Sequence, residues 1–125
     1  MPYYHGSPIA GIETLAPSPG KPLYLTDNRA YALFYLRDPE INWVTCGVRG
    51  GIVAYDEQFP GQLRALYAGR GGWLYACGDD GGFVPGGSSW IVTADRAVPV
   101  VSAEFIPDAY EAILREISTG TVRSL

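Results

Sequence analysis

Apolar positions in this chain come in short runs that glycine and proline interrupt repeatedly, a pattern of many brief strands rather than a few long helices. Tyr3-Tyr4-His5 reads as a short strand leading into a Gly6-Ser7-Pro8 turn, and Ile9 to Leu15 as a connecting element. Ala16 to Pro22 is a stiff loop, because its three prolines remove backbone donors and Gly20 permits a turn. Pro22 to Thr26 reads as a buried strand, with Thr26 or Asp27 suited to cap the helix that follows. From Ala30 to Leu36 the apolar residues recur at helical spacing, with Ala30, Leu33 and Phe34 on one face, and Pro39 ends the run.

Beyond that helix the period of two returns. Asn42 to Cys46 and Gly51 to Asp56 read as strands around a Gly50-Gly51 turn. Phe59-Pro60-Gly61 breaks the chain, and Gly72 to Cys77 is an aromatic-rich strand. Gly78 to Ser89 reads as a surface loop. Trp90 to Ala94 and Val98 to Phe105 are two more strands. Pro107 to Ile117 is the clearest helix, with proline in its first turn and Ala109, Tyr110, Ile113, Leu114 and Ile117 as its apolar stripe. Glu111, Arg115 and Glu116 read as its solvated face. The sum is a single α+β domain over residues 1–125, mostly antiparallel in its sheets, with few helices.

Composition narrows the classes. With 47% hydrophobic and 18% charged residues the chain is globular rather than disordered. A net charge of −4 argues against nonspecific nucleic-acid binding, though not against a nucleic acid met by a small local patch. No apolar run approaches the ~20 residues of a membrane span, and no signal segment opens the chain, so a cytoplasmic protein with no membrane partner is expected. The two cysteines, Cys46 and Cys77, sit among apolar neighbours and read as buried free thiols; with one histidine they are too few for a structural zinc site. Nothing around Cys46 resembles a nucleophile signature. Gly69-Arg70-Gly71-Gly72 lacks the lysine of a P-loop and reads as a turn, and Asp79-Asp80 lacks EF-hand spacing.

The only histidine, His5, concentrates the candidate chemistry. It is followed by Gly6, which allows close backbone approach, and by the Ser7 hydroxyl. Tyr24 stands on the next strand and Tyr35 at the end of the following helix. Two phenol rings, an imidazole and an exposed glycine backbone would make a slot for a flat ring that carries an amide.

In these residues the chain resembles the ADP-ribosyltransferase-like superfamily, in its diphtheria-toxin and poly-ADP-ribose-polymerase branch. Tyr4-His5-Gly6-Ser7 looks like that family's first motif, Leu23-Tyr24-Leu25-Thr26 like its second, and Tyr35 stands where a nicotinamide-stacking tyrosine would be. The likeness covers roughly the first 36 residues. It implies a compact fold with antiparallel sheets split around a cleft for NAD, the substrate. His5 would bond a ribose hydroxyl, Gly6 would hold the carboxamide, Ser7 and Thr26 would support the site, and Tyr24 and Tyr35 would flank the nicotinamide. The implied reaction cleaves the nicotinamide–ribose bond and passes ADP-ribose to an unknown acceptor, protein or nucleic acid, with His5, Tyr24 and a carboxylate as catalytic residues. The chain departs from the pattern where the family's glutamate begins a late strand: Ser89 or Trp90 occupies that slot. Asp79, Asp80, Asp95 and Glu57 are other acids within reach, and Glu104 on the next strand is the candidate carboxylate. Ala32 also replaces a small hydroxyl residue of the family's helix. The alternative is a catalytically silent member of the same fold that acts as a binding module, and a small bacterial toxin is a third reading.

Overall fold

The structure, a computed structural model, describes residues 2–37, 44–79 and 81–125. Its main sheet has six strands: β1 (Pro2–Ser7), β3 (Leu23–Thr26), β6 (Gly72–Gly78), β7 (Val84–Pro85), β8 (Ile91–Ala94) and β10 (Ser102–Ile106), in the order β10-β6-β1-β3-β8-β7. Every registered neighbour pair in it is antiparallel. A second sheet joins β4 (Thr45–Arg49), β5 (Ile52–Asp56) and β11 (Val122–Ser124) in the order β11-β5-β4, and β2 (Thr14–Leu15) pairs with β9 (Val98–Pro99). The helices are α1 (Arg29–Leu33), α2 (Gln62–Tyr67) and α3 (Ala109–Thr119). The chain is an α+β protein of mostly antiparallel strands.

Alternation along the central strands sends side chains into two cores. Leu23 and Leu25 of β3, with Tyr75 and Cys77 of β6, join Leu15 and Val98 beneath the β2–β9 ribbon. Tyr4 and Leu74 point the other way, toward α1, α3 and the second sheet, where Phe34, Leu66, Tyr67 and Ile113 are fully enclosed. Tyr67 donates its hydroxyl to the Phe34 carbonyl at 2.7 Å, which satisfies a group that the end of α1 would otherwise leave bare.

Local chemistry explains several boundaries. Gly50 and Gly51 both have positive φ, 61° and 79°, so a two-residue turn closes the β4–β5 hairpin as its glycine pair predicts. Asn28, not Thr26 or Asp27, caps α1: its Oδ1 accepts from Tyr31 N at 2.9 Å while its amide donates to Gly51 O at 3.0 Å. Thr26 instead accepts from Asn28 N at 3.2 Å, a turn that delivers the cap. Asp108 caps α3, so Pro107 lies before the cap rather than in the first turn.

Other expectations shift or fail. α1 stops at Leu33, short of Leu36, and Tyr35 sits in the turn beyond it. The strand expected at Asn42 to Cys46 runs from Thr45 to Arg49; residues 42 and 43 lie outside the described residues, as do Pro39 and Asp80. Val98 to Phe105 is two strands, because Val100 and Val101 leave one partner for another: Val100 N bonds Glu13 O and Val101 N bonds Ala76 O. Part of the glycine-rich segment is the strand β7, paired to β8. In α3 the inward face is Ala109, Ala112 and Ile113, with Tyr110 and Ile117 packed against the same core as expected, while Leu114 is exposed.

The pattern did not announce α2 or β11. α2 begins at Gly61 with no side-chain cap of its own; Glu57 reaches in from outside and accepts from Leu63 N at 2.7 Å. Its signal is present but brief: Gln62, Leu63, Leu66 and Tyr67 are all buried at helical spacing. β11 is three residues long and runs parallel to β5, a partner nearly 70 positions away.

Candidate functional site

The three segments singled out by sequence occupy adjacent strands at the centre of the main sheet. β1 carries His5, Gly6 and Ser7, β3 carries Tyr24 and Thr26, and β8, which follows Ser89 and Trp90, lies on the other side of β3. β1 is registered with β6 along all six of its residues, yet with β3 only at Tyr4↔Thr26. Beyond that pair the two strands part, and the His5 imidazole stands in the seam, Nδ1 3.1 Å from the Tyr24 carbonyl. A carbonyl only accepts, so Nδ1 carries the proton and donates. In the neutral ring Nε2 is then left as an acceptor, able to receive a hydroxyl from a ligand.

Gly6 has a different reason to be glycine from the one its sequence context suggested. A Cβ there would overlap the Ala32 carbonyl oxygen and approach Tyr35 Cβ at 3.2 Å. The close approach is made by α1 itself, whose last turn lies against β1. Tyr35 is thereby held beside Gly6, half-buried, with its ring 5.7 Å from that of Tyr31 in an edge-to-face contact. Tyr24 is 43% exposed. Alternation puts Tyr24 and Gly6 on the α1 side of the sheet and roots His5 on the other, with Leu25 and Tyr75.

Two predicted contact residues have structural work of their own. The Ser7 hydroxyl is buried and accepts from Ile9 N at 3.1 Å, which closes the turn after β1. Thr26 is 2% exposed and serves the α1 turn.

The candidate carboxylate lies elsewhere on the sheet. Glu104 belongs to β10, aligned with Leu74 of β6 and through it with Gly6, so a whole strand separates it from β1. Both its oxygens bond the Arg29 guanidinium, at 2.7 and 2.8 Å, with Arg29 Nε at 3.1 Å. This bidentate pair ties β10 to the start of α1. Ser89, where the sequence resemblance would place a glutamate, is a hydroxyl at the corner before β8.

An aromatic series runs from the seam to the second sheet. Tyr35 touches Tyr31, Tyr31 meets the Trp90 ring edge-on at 6.0 Å, and Trp90 crosses over Gly47, where a Cβ would stand 3.2 Å from the indole. Burial raises the Tyr35 and Tyr31 hydroxyls above the ordinary tyrosine range. It pushes the neighbouring Cys46 thiol up to about 12. Cys46 is therefore a protonated, poorly nucleophilic thiol at neutral pH, whereas Cys77 is a buried structural one. Trp90 Nε1 is buried without a partner in hydrogen-bonding geometry, although it lies near enough to the Tyr31 hydroxyl to favour its ionised form.

The hollows lie beside this series rather than in the seam. One of about 640 Å³ is floored by the outer face of β4-β5-β11 and walled by Ser89 and Trp90; another of about 290 Å³ lies between Ser89, Trp90, Asn28 and the Gly50-Gly51 turn. A third, about 390 Å³, lies at the far end of β6, beside Asp79 and Val101. None of these three is lined by His5, Gly6, Tyr24 or Tyr35. Sequence reasoning missed the first hollow because its floor is made of small residues whose position across three strands no local pattern reveals. Among the described residues no three His, Cys, Asp or Glu side chains gather to hold a metal, and no helix is long and apolar enough to cross a membrane. No family model, no curated protein and no solved structure matches the chain.

Proposed function

We propose that this chain binds NAD at the seam between β1 and β3, in the manner of ADP-ribosyltransferase-like proteins. The observation that carries the reading is the parting of those strands after Tyr4↔Thr26, with the His5 imidazole in the gap and Tyr35 held against Gly6. Nδ1 is committed to the Tyr24 carbonyl, so in the neutral ring Nε2 is the nitrogen left to accept from a ribose hydroxyl. Tyr24 is exposed enough to cover a planar ring, and Tyr35 offers a second ring at the end of α1. The two tyrosines stand on the α1 face and the imidazole is rooted on the opposite one, so a ligand stacked on the tyrosines would meet His5 only through the gap between the strands.

Bound NAD would supply a glycosidic bond to nicotinamide, whose cleavage passes through an oxocarbenium-like state that a nearby carboxylate stabilises. That carboxylate is the part of the site the chain fits least well. Ser89 stands in its slot, and Glu104 is held by Arg29 on the far side of β6. These two observations favour a second reading, in which the domain binds NAD or nicotinamide and transfers little or no ADP-ribose.

Isothermal titration with NAD and with nicotinamide tests the binding step. Heat from both, with at least tenfold weaker NAD binding on His5→Ala and weaker nicotinamide binding on Tyr24→Ala, is expected. No heat from either ligand, or identical NAD affinity in His5→Ala, overturns the reading. Incubation with labelled NAD and a cell extract then separates transfer from binding: a labelled macromolecule or released nicotinamide marks an enzyme, and intact NAD marks the binding module.

A further inference from the structure

We infer that the hollow over the outer face of β4-β5-β11 binds a nucleotide through a terminal phosphate monoester. The register defines its floor. Gly47 of β4, Ala54 of β5 and Arg123 of β11 stand in one row across the sheet, and Arg49 is in the next row beside Ile52. These positions share the outer face, since Val53, Tyr55 and Val122 between them are buried in the core. The floor is thus a hydrogen and a methyl group, with a guanidinium on either flank.

Trp90 forms the wall. Its ring crosses over Gly47, and it lines the hollow together with Ser89 and Thr45. A base laid on the Gly47–Ala54 floor would meet an aromatic neighbour, the arrangement by which nucleobases gain sequence-tolerant stacking energy. The Gly47–Ala54 floor carries no polar side chain, and the hydroxyls of Thr45 and Ser89 are the groups of the lining that could meet a base edge, so modest discrimination among bases is expected. The volume, about 640 Å³, falls in the range of small-molecule sites.

The two arginines choose the charged end. Their Cα atoms are on the order of 12 Å apart, from two strand spacings and two residues of rise, a span that two extended side chains can close on one group. Neither pairs with a carboxylate among the described residues; Arg29, by contrast, is tied to Glu104. Among the described residues the acidic side chain on this face is Asp56, which stands beside Thr45 and does not line the hollow, whereas Leu125, after β11, does line it. Two guanidiniums suit a phosphate monoester, which carries close to two negative charges, better than the singly charged diesters of a dinucleotide. This local pair lets an anion bind a chain whose net charge is −4. The inference stands apart from the NAD reading, because His5, Gly6, Tyr24 and Tyr35 take no part in the hollow.

Titration of the full chain with AMP, adenosine, inorganic phosphate, and a dinucleotide with and without a 5′-phosphate tests it. AMP is expected to bind at least tenfold more tightly than adenosine and than phosphate alone. Arg49→Gln and Arg123→Gln should each weaken AMP binding about tenfold, and the double variant should bring it to the level of adenosine. Ala54→Leu, which fills the floor from the solvent side, should block binding while the circular dichroism spectrum is retained. A phosphorylated dinucleotide that binds more tightly than AMP points to the end of a nucleic-acid strand; one that binds no better points to a free nucleotide. AMP binding no tighter than adenosine, or unchanged in the double arginine variant or in folded Ala54→Leu, overturns the inference. Nicotinamide titrated into the same variants should bind as in the parent chain, so this site and the seam can fail separately.

Discussion

The seam between β1 and β3 and the hollow over the second sheet use glycine in opposite ways. At Gly6 the missing side chain lets the carbonyl of Ala32 press onto a strand, and the space is taken up by the protein's own helix. At Gly47 the missing side chain lets Trp90 lean over the sheet, and open space remains beside it above Ala54. The first region is covered by α1 at Gly6 and offers polar groups in a gap between strands; the second is an arginine-flanked basin. A glycine in a recognisable motif therefore signals close approach but does not say by what.

The sharpest way to break that contrast is Gly6→Ala. Because the colliding atom is helix backbone, we expect a loss of about 3 kcal/mol in denaturant unfolding, the upper part of the usual overpacking range. A loss under about 0.5 kcal/mol would mean that α1 does not press on β1 as described. The array that joins the two regions is tested by alkali. The folded state holds Cys46, Tyr35 and Tyr31 protonated to higher pH than the unfolded chain does. Their stabilisation is complete below the unfolded values and is lost as pH rises through the folded ones. For Cys46 that window runs from 9.0 to about 12, at a slope of up to about 1.4 kcal/mol per pH unit for each group. Urea midpoints measured across that window should fall steadily, and less steeply in Cys46→Ala.

Smaller effects sharpen the same comparison. Tyr67→Phe removes the hydroxyl that holds the Phe34 carbonyl and with it the end of α1 that presents Tyr35. A cost of about 1–2 kcal/mol is expected, with weaker nicotinamide binding and unchanged AMP binding. Glu104→Gln breaks an ion pair whose members are 37% and 54% exposed, so stability should fall by less than about 1 kcal/mol. If any NAD cleavage is measured, it should survive this substitution; its abolition would restore Glu104 as the working carboxylate. Arg123→Gln, on the open basin, should alter stability by no more than about 0.5 kcal/mol.

Local signals were read well where local physics governs. The strands at Leu23–Thr26 and Gly72–Gly78, the Gly50-Gly51 hairpin and the last helix follow from alternation, turn chemistry and helical spacing within a few residues. The misses share a cause. α2 is capped by Glu57 from outside the helix, β11 pairs with a distant strand, and Val98 to Ile106 divides because its middle changes partner. None of these leaves a mark in a short window. Of the site, the proximity of the two motif strands was legible; the Arg29 clamp on Glu104, 75 positions away, was not.

What the chain alone determined is therefore the set of short elements, their two-sided patterning and the placement of His5, Tyr24 and Tyr35 on or beside neighbouring elements, since each depends on residues a few bonds or one turn apart. The tertiary structure decided which groups those elements bring face to face. It turned Gly6 toward a helix, occupied Glu104 with an arginine and opened a basin between Trp90 and two arginines from different strands. Such outcomes follow from register and packing between distant segments, and distance along the chain does not encode distance in space.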